Sequence, residues 1–318
     1  MIRPFFNSGL GILSVALLAG CASLGPVAPP SGELDWRPPY LETPRRPRLA
    51  IAFGSGAQRG YAHIGVIRAF EKAGIRPDAI TGTSIGAIVG GLWAAGLTSE
   101  QIEKVAIEFS WNVMSDWSPM LWQLSRGSLT GLAGGRGIMT FIRNQVGNRR
   151  IEELPIPFAV VTTDLHSGER IIINHGELAL AVRASAGVPL ALTPVKASVA
   201  GKQRELVDGS LVEPIPIDCA RDLGATTVIA VDVGYHPEEA SVRHPTAVLF
   251  QTLQITQYTL RHEQLRRADW VIHPALNEEL VSNESTQTLI PGWERKQPTR
   301  LFNKCAKPQK SLQERVWT

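Results

Sequence analysis

The sequence predicts an α/β protein built on a mostly parallel sheet covered by helices on both faces. Three observations predict it. Short apolar runs of strand length alternate with stretches of helical spacing through residues 48–272. Glycine-rich turns separate strand from helix at residues 54–60 and 82–86. The chain has 318 residues, 44% of them hydrophobic, which can fill one large core or two smaller ones.

The elements follow in order. Residues 48–53 read as a buried strand, then a glycine-rich loop and a helix over about 62–73. Residues 79–81 make a short second strand, and 85–95 a helix that Gly96 ends. Two strands, 158–163 and 169–173, flank the turn at 166–168. Residues 206–207 and 227–233 are further strands with helical sequence beside them. Residues 246–268 read as one long helix with Leu249, Leu253 and Leu260 on one face, and 270–272 closes the sheet. There is no internal repeat.

Composition excludes a disordered chain, a collagen and a disulfide-stapled miniprotein. Net charge is only +3, so no global basic field calls for nucleic acid. The imbalance is local: residues 295–318 hold seven Lys/Arg and one Glu, and that +6 leaves the rest of the chain at −3. Three cysteines give no disulfide framework, and a Cys219–Cys305 pair stays open. No His/Cys/Asp/Glu grouping has metal-ligand spacing, so neither metal nor cofactor is expected.

Residues 1–20 read as a targeting segment. A weakly basic start precedes twelve mostly apolar residues, 9–20, too short for the ~20 needed to span a bilayer. The run ends in Leu18-Ala19-Gly20-Cys21, which resembles a bacterial lipoprotein lipobox whose cysteine is lipidated. The alternative is a plain secretory signal with an incidental cysteine. By the resemblance, Ala22 after the cysteine points to the outer membrane. Residues 22–47 carry seven prolines, which bars a helix or a central strand. They fit a tether of at most ~80 Å, or an arm held on the domain by Trp36 and Tyr40.

Three segments carry chemistry. In Gly82-Thr83-Ser84-Ile85-Gly86 a strand runs straight into a helix with one serine at the bend. Such a bend is strained, and Gly82 and Gly86 remove side chains that would clash there. Ser84 would then project at the sheet's carboxyl edge over a helix N-terminus, suited to a nucleophile. The second segment, Gly54-Ser-Gly-Ala-Gln-Arg-Gly60, is one residue too long for a dinucleotide fingerprint, and the strand after it ends in Ser84 rather than an acid. Its small residues fit an oxyanion hole of backbone N–H groups. The third is Asp208-Gly209, an acid at a strand end, with Asp164 and Asp232 as rivals. Gly209 favours Asp208, because it admits another backbone.

Together these motifs resemble the bacterial branch of the patatin-like phospholipase family, supported by residues 61–66, 161–165, 183–189 and 193–195. The likeness covers residues 48 to about 274. It implies a three-layer α/β/α sandwich and hydrolysis of acyl esters in phospholipid or lysophospholipid. It further implies a Ser–Asp dyad without histidine, with Ser84 as nucleophile and Asp208 as base. The N–H groups of Ser55, Gly56 and Ala57 would form the oxyanion hole, with Arg59 and Gly60 shaping the loop; His63 would pack rather than react. Ser55, Ser210 and Leu192 depart from the family pattern and bear on substrate preference.

The division that follows is residues 1–20 signal peptide, 21–47 lipidated cysteine and tether, 48–276 catalytic domain, and 277–318 a basic tail without an assigned fold. The expected partners are a lipid substrate and a membrane reached through the anchor, with the enzyme on the periplasmic face of the outer membrane. Residues 111–122, with three tryptophans, fit a membrane-facing lip or a packed helix. Two rival functions remain: a Ser-His-Asp esterase drawing on His236, His244, His262 or His273, and a non-catalytic lipid-binding lipoprotein.

Overall fold

The computed structural model describes residues 30–37, 48–108, 131–239 and 245–274. The first elements are β1 (Ser31–Asp35), β2 (Leu49–Phe53), α1 (Ala62–Lys72), β3 (Ala79–Gly82), α2 (Ile85–Ala94) and α3 (Ser99–Glu108). Next come β4 (Gly131–Ala133), α4 (Arg136–Val146), β5 (Phe158–Asp164), β6 (Arg170–Ile173), β7 (His175–Gly176) and α5 (Leu178–Ser185). The remainder is β8 (Leu190–Leu192), β9 (Val195–Val199), β10 (Lys202–Asp208), α6 (Ile217–Asp222), β11 (Thr227–Val231), α7 (Pro245–Leu265) and β12 (Trp270–Ile272). The main sheet runs β12-β11-β2-β3-β5-β10-β9-β1-β7, with β6 on β5 as well, and β4 pairs β8 separately.

From β12 through β5 every neighbouring pair is parallel. The antiparallel pairs are confined to the other half, where β10 joins β5 and β9, and β6 folds back on β5. Alternation along the strands builds two cores. Ile51, Phe53, Ile80, Phe158 and Val160 face the larger one, under α1, α2, α4 and α5. Ala50, Ala52, Ala79 and Ala159 face the other, where their small side chains admit α6. That arrangement is the expected α/β/α sandwich. Helix α2 is buried from Gly86 to Ala94, and its sequence is accordingly apolar all round.

One expectation needs correction. Residues 21–47 are not a tether throughout: 31–35 form β1, parallel to β9 and antiparallel to β7, with Leu34 buried. The prolines flank this run and do not interrupt it, so the ladder keeps its donors. Trp36 packs against the smaller core, as the arm reading expected. Helix α7 is the expected long helix, with Leu249 43% exposed and Gln264 and Arg261 buried. Its inner face lies over irregular backbone that needs hydrogen-bond partners, so polar residues point inward.

Residues 1–29 with Cys21, Tyr40, the 111–122 stretch, His244, Cys305 and the 277–318 tail lie outside the described residues. Cys219 is buried, and among the described residues it is a free thiol.

Candidate active site

Ser84 stands between β3 and α2 with φ 57° and ψ −122°, a region that costs a non-glycine residue on the order of 1–3 kcal/mol. The sharp turn brings α2 down onto β2. A Cβ at Gly86 would lie 2.1 Å from the Phe53 carbonyl oxygen, and one at Gly82 would lie 2.6 Å from Ala87 Cα. Only glycine fits either place, which is why the spacing around Ser84 is what it is.

The register of β5 explains how the acid reaches the serine. Val160 pairs with both Gly82 of β3 and Ile173 of β6, so those two strands lie on opposite edges of β5. Thr162 pairs with both Asp208 of β10 and Ile171 of β6, so β10 also lies opposite β6. Strands β3 and β10 therefore share one edge of β5, run head-on towards each other, and stop at Val160 and Thr162. Ser84 and Asp208 are the residues at that meeting point.

Ser84 Oγ donates to Asp208 Oδ2 at 2.8 Å. The other carboxylate oxygen accepts the Ser210 N–H at 2.8 Å. Asp208 is 1% exposed, and this burial pushes its pKa up, against the opposing hydrogen bonds from Ser210 and Ser84 and the charge of Arg183. A desolvated carboxylate of raised basicity, bonded to a hydroxyl, can take its proton. Gly209 permits the approach, since a Cβ there would sit 2.1 Å from the Val161 carbonyl oxygen.

The loop between β2 and α1, expected to hold an oxyanion, forms a 3-10 turn, Ala57–Tyr61, against the start of α2. A Cβ at Gly60 would meet Ile85 Cγ1 at 2.0 Å, and one at Gly56 would meet the Val233 carbonyl oxygen at 2.6 Å. One expectation fails: the Ser55 N–H donates to the Pro214 carbonyl at 2.8 Å, so it is not a donor for an oxyanion. The chain at Ser55 still extends β2, and its amide is consumed by the neighbouring backbone. The N–H groups of Gly56 and Ala57 have no acceptor among the described residues, nor does that of Ile85, the residue after the serine. Arg59 shapes the loop by donating from Nη1 to the Gly234 carbonyl at 2.7 Å and lying over the Tyr235 ring.

The rival residues have other occupations. Asp164 caps the turn after β5 through the His166 and Ser167 N–H groups and pairs with Arg204. Asp232 accepts from Gly234 and pairs with Arg261 and His273. His63 is wholly buried, with Nε2 donating to the Gly54 carbonyl at 2.8 Å, and burial lowers its pKa to about 4. His236 and His262 contact Tyr258. Among the described residues, no histidine hydrogen-bonds to Ser84 or Asp208.

Sequence reasoning missed Ser185. Its hydroxyl accepts the Ser84 N–H at 3.0 Å and donates to the Val161 carbonyl at 2.7 Å, filling the gap between the strand ends. Its place in a matching segment was the available signal; its partner, 101 positions away, was not. Arg183, on α5, is buried and donates to the carbonyls of Gly134 and Thr193, tying two loops to that helix. Ser210, noted above as a departure, accepts from Gln257 Nε2 at 3.0 Å and so links α7 to the acid.

Several known proteins are similar to this chain in sequence or structure. A protein of the NTE family from Mycobacterium tuberculosis is 35% identical over 187 residues, covering 59% of this chain and 49% of that protein. Human patatin-like phospholipase domain-containing protein 6 is 34% identical over 190 residues, covering 60% of this chain and 14% of that protein. The chain thus spans about half the length of the mycobacterial relative and a much smaller share of the human one. Among solved structures, VipD from Legionella pneumophila is similar with a TM-score of 0.39 and 13% identity, covering 84% of this chain and 64% of that one. The Patatin family model, described as patatin-like phospholipase, matches residues 51–221, which include Ser84, Asp208 and the loop between β2 and α1. This chain belongs to the patatin-like phospholipase family.

Proposed function

We propose that the protein is a serine acyl hydrolase that cleaves carboxylic esters of phospholipids or lysophospholipids. The observation that carries this reading is the 2.8 Å bond from Ser84 Oγ to buried Asp208, at a strained turn heading a helix. Ser84 Oγ attacks the acyl carbon while its proton passes to Asp208. The oxyanion is held by the Gly56 and Ala57 N–H groups, aided by the positive end of α2. Collapse expels the alcohol, which takes the proton from Asp208 and leaves the acyl group on Ser84. Water then attacks the acyl-enzyme with Asp208 again as base, and the fatty acid departs as Ser84 Oγ takes that proton back from Asp208. Family membership supports a lipid as the acyl donor. The lipobox-like Cys21 supports a lipid anchor that holds the enzyme at the bacterial outer membrane, facing the periplasm.

The test is fatty acid release from mixed phospholipid–detergent micelles by the full chain. Ser84→Ala and Asp208→Asn are each expected to lower kcat by on the order of 10²–10⁴-fold with unchanged circular dichroism. Hydrolysis that survives Ser84→Ala rejects the nucleophile. A parent that releases nothing from several lipids favours a non-catalytic lipid-binding role.

A further inference from the structure

The segment after the acid, residues 213–216, does something the mechanism above does not use. Its carbonyls accept three hydrogen bonds from the two motifs that build the site. The Glu213 carbonyl takes Thr83 Oγ1 at 2.9 Å, beside the nucleophile. The Pro214 carbonyl takes the Ser55 N–H at 2.8 Å, at the head of the oxyanion loop. The Pro216 carbonyl takes Thr81 Oγ1 at 2.8 Å, in the strand that delivers Ser84. Two prolines in four residues stiffen this strap, and Gln264 braces it by accepting the Ile215 N–H.

The strap has one charged anchor. The Glu213 side chain is 1% exposed, yet it is a carboxylate in a protein interior, which is costly unless paired. Its Oε2 meets Arg170 Nη1 at 2.8 Å, and Oε1 accepts the Cys219 N–H at 3.0 Å. Arg170 is itself held by Asp222. The carboxylate thus ties the strap to β6 on one side and to α6 on the other. A buried apolar residue could fill the space, but it could not fix the rotation of the backbone whose carbonyls point at Ser55 and Thr83.

We propose that Glu213 is a positioning residue, whose clamp on residues 213–216 keeps the oxyanion loop and the nucleophile turn in mutual alignment. The inference rests on the hydrolase reading for its kinetic consequence and on geometry alone for its structural one. The groups around the carboxylate are Arg170 from β6 and Asp218, Cys219 and Asp222 from α6. Burial pushes Glu213 up to about 7, so the charged clamp is complete above that pH and weakens below it.

Glu213→Gln keeps the shape and removes the charge, and Arg170→Gln removes the partner from the more exposed side, should the first variant fold poorly. In the full chain, with a soluble short-chain acyl ester, each variant is expected to lower kcat by about 10- to 100-fold with KM held within about twofold. The parent kcat should rise through about pH 7 as Glu213 ionises, and Glu213→Gln should lose that inflection. Deuterium exchange of residues 54–60 should quicken in both variants, because the Ser55 amide loses its fixed acceptor. A kcat within about twofold of the parent in both variants, or unchanged exchange at 54–60, overturns the proposal. A parent that hydrolyses no ester rejects the hydrolase reading, and the exchange experiment then decides the clamp by itself.

Discussion

His63 sits edge-on to Phe53 with ring centroids 5.0 Å apart and donates a hydrogen bond from Nε2 to the Gly54 carbonyl, so it acts as a neutral support for the loop after β2. Its pKa of about 4 in the fold, against 6.5 for an exposed histidine, has a definite sign. Between those values the unfolded chain binds a proton that the folded chain refuses. Stability from this residue is therefore complete above pH 6.5 and falls by about 3 kcal/mol as the pH drops to 4. Glu213, raised from 4.5 to about 7, acts in the opposite direction over its own window, so the comparison must be between variants. His63→Gln keeps a donor for Gly54 and should flatten that part of the urea-unfolding profile. It should also keep most of the hydrolysis at pH 8, which a histidine-based triad would not. A steep profile that persists in His63→Gln would show that the residue titrates freely in the fold. Asp208 teaches a related point: the sequence shows an acid before a glycine, whereas its basicity comes from burial contributed by many distant residues.

At the scale of elements, the head-on meeting of β3 and β10 along one edge of β5 is what brings Ser84 to Asp208. Both strand ends were recognisable, one by the glycines around Ser84 and one by Asp208-Gly209. Their meeting was not, because a strand carries no local mark of which edge or register it will take. Helix α7 shows the same limit. Its leucine spacing placed Leu249, Leu253 and Leu260 on one face but did not show that Gln257, Arg261 and Gln264 turn inward to serve Ser210, the Tyr235 carbonyl and the strap. Strand β1 escaped notice because the prolines around it dominate the composition. It makes a test: a chain starting at residue 48 loses β1 and empties the site of buried Leu34, at a cost of about 2–5 kcal/mol from that side chain. A chain starting at residue 22 should match the parent in urea unfolding. Equal stability for the two truncations would mean that β1 adds nothing to the sheet.

Across the whole molecule, the site lies where the parallel half of the sheet gives way to the antiparallel half, and both cores converge beneath it. Val160 of β5 belongs to the larger core and Val161 to the smaller, so the strand that registers the dyad is held from both faces. The proposed anchor adds a consequence at this scale. Cys21→Ala should move the protein from the membrane fraction to the soluble fraction, while its activity on a soluble ester stays unchanged. Retention in the membrane fraction would count against a lipid on that cysteine.

The division between sequence and tertiary structure follows from the range of the interactions involved. The chemistry-bearing residues, the strand-to-helix turn at Ser84, the small residues of the oxyanion loop and most of the parallel strands were written locally, in glycine positions and apolar periodicity. Such signals act over a few residues and survive in a one-dimensional reading. The pairing of Ser84 with Asp208, the loss of the Ser55 amide to Pro214, the support from Ser185 and the strap at 213–216 join positions more than a hundred residues apart. Only packing decides those contacts, because a backbone N–H takes whichever acceptor the fold brings to it, and no local pattern names that acceptor.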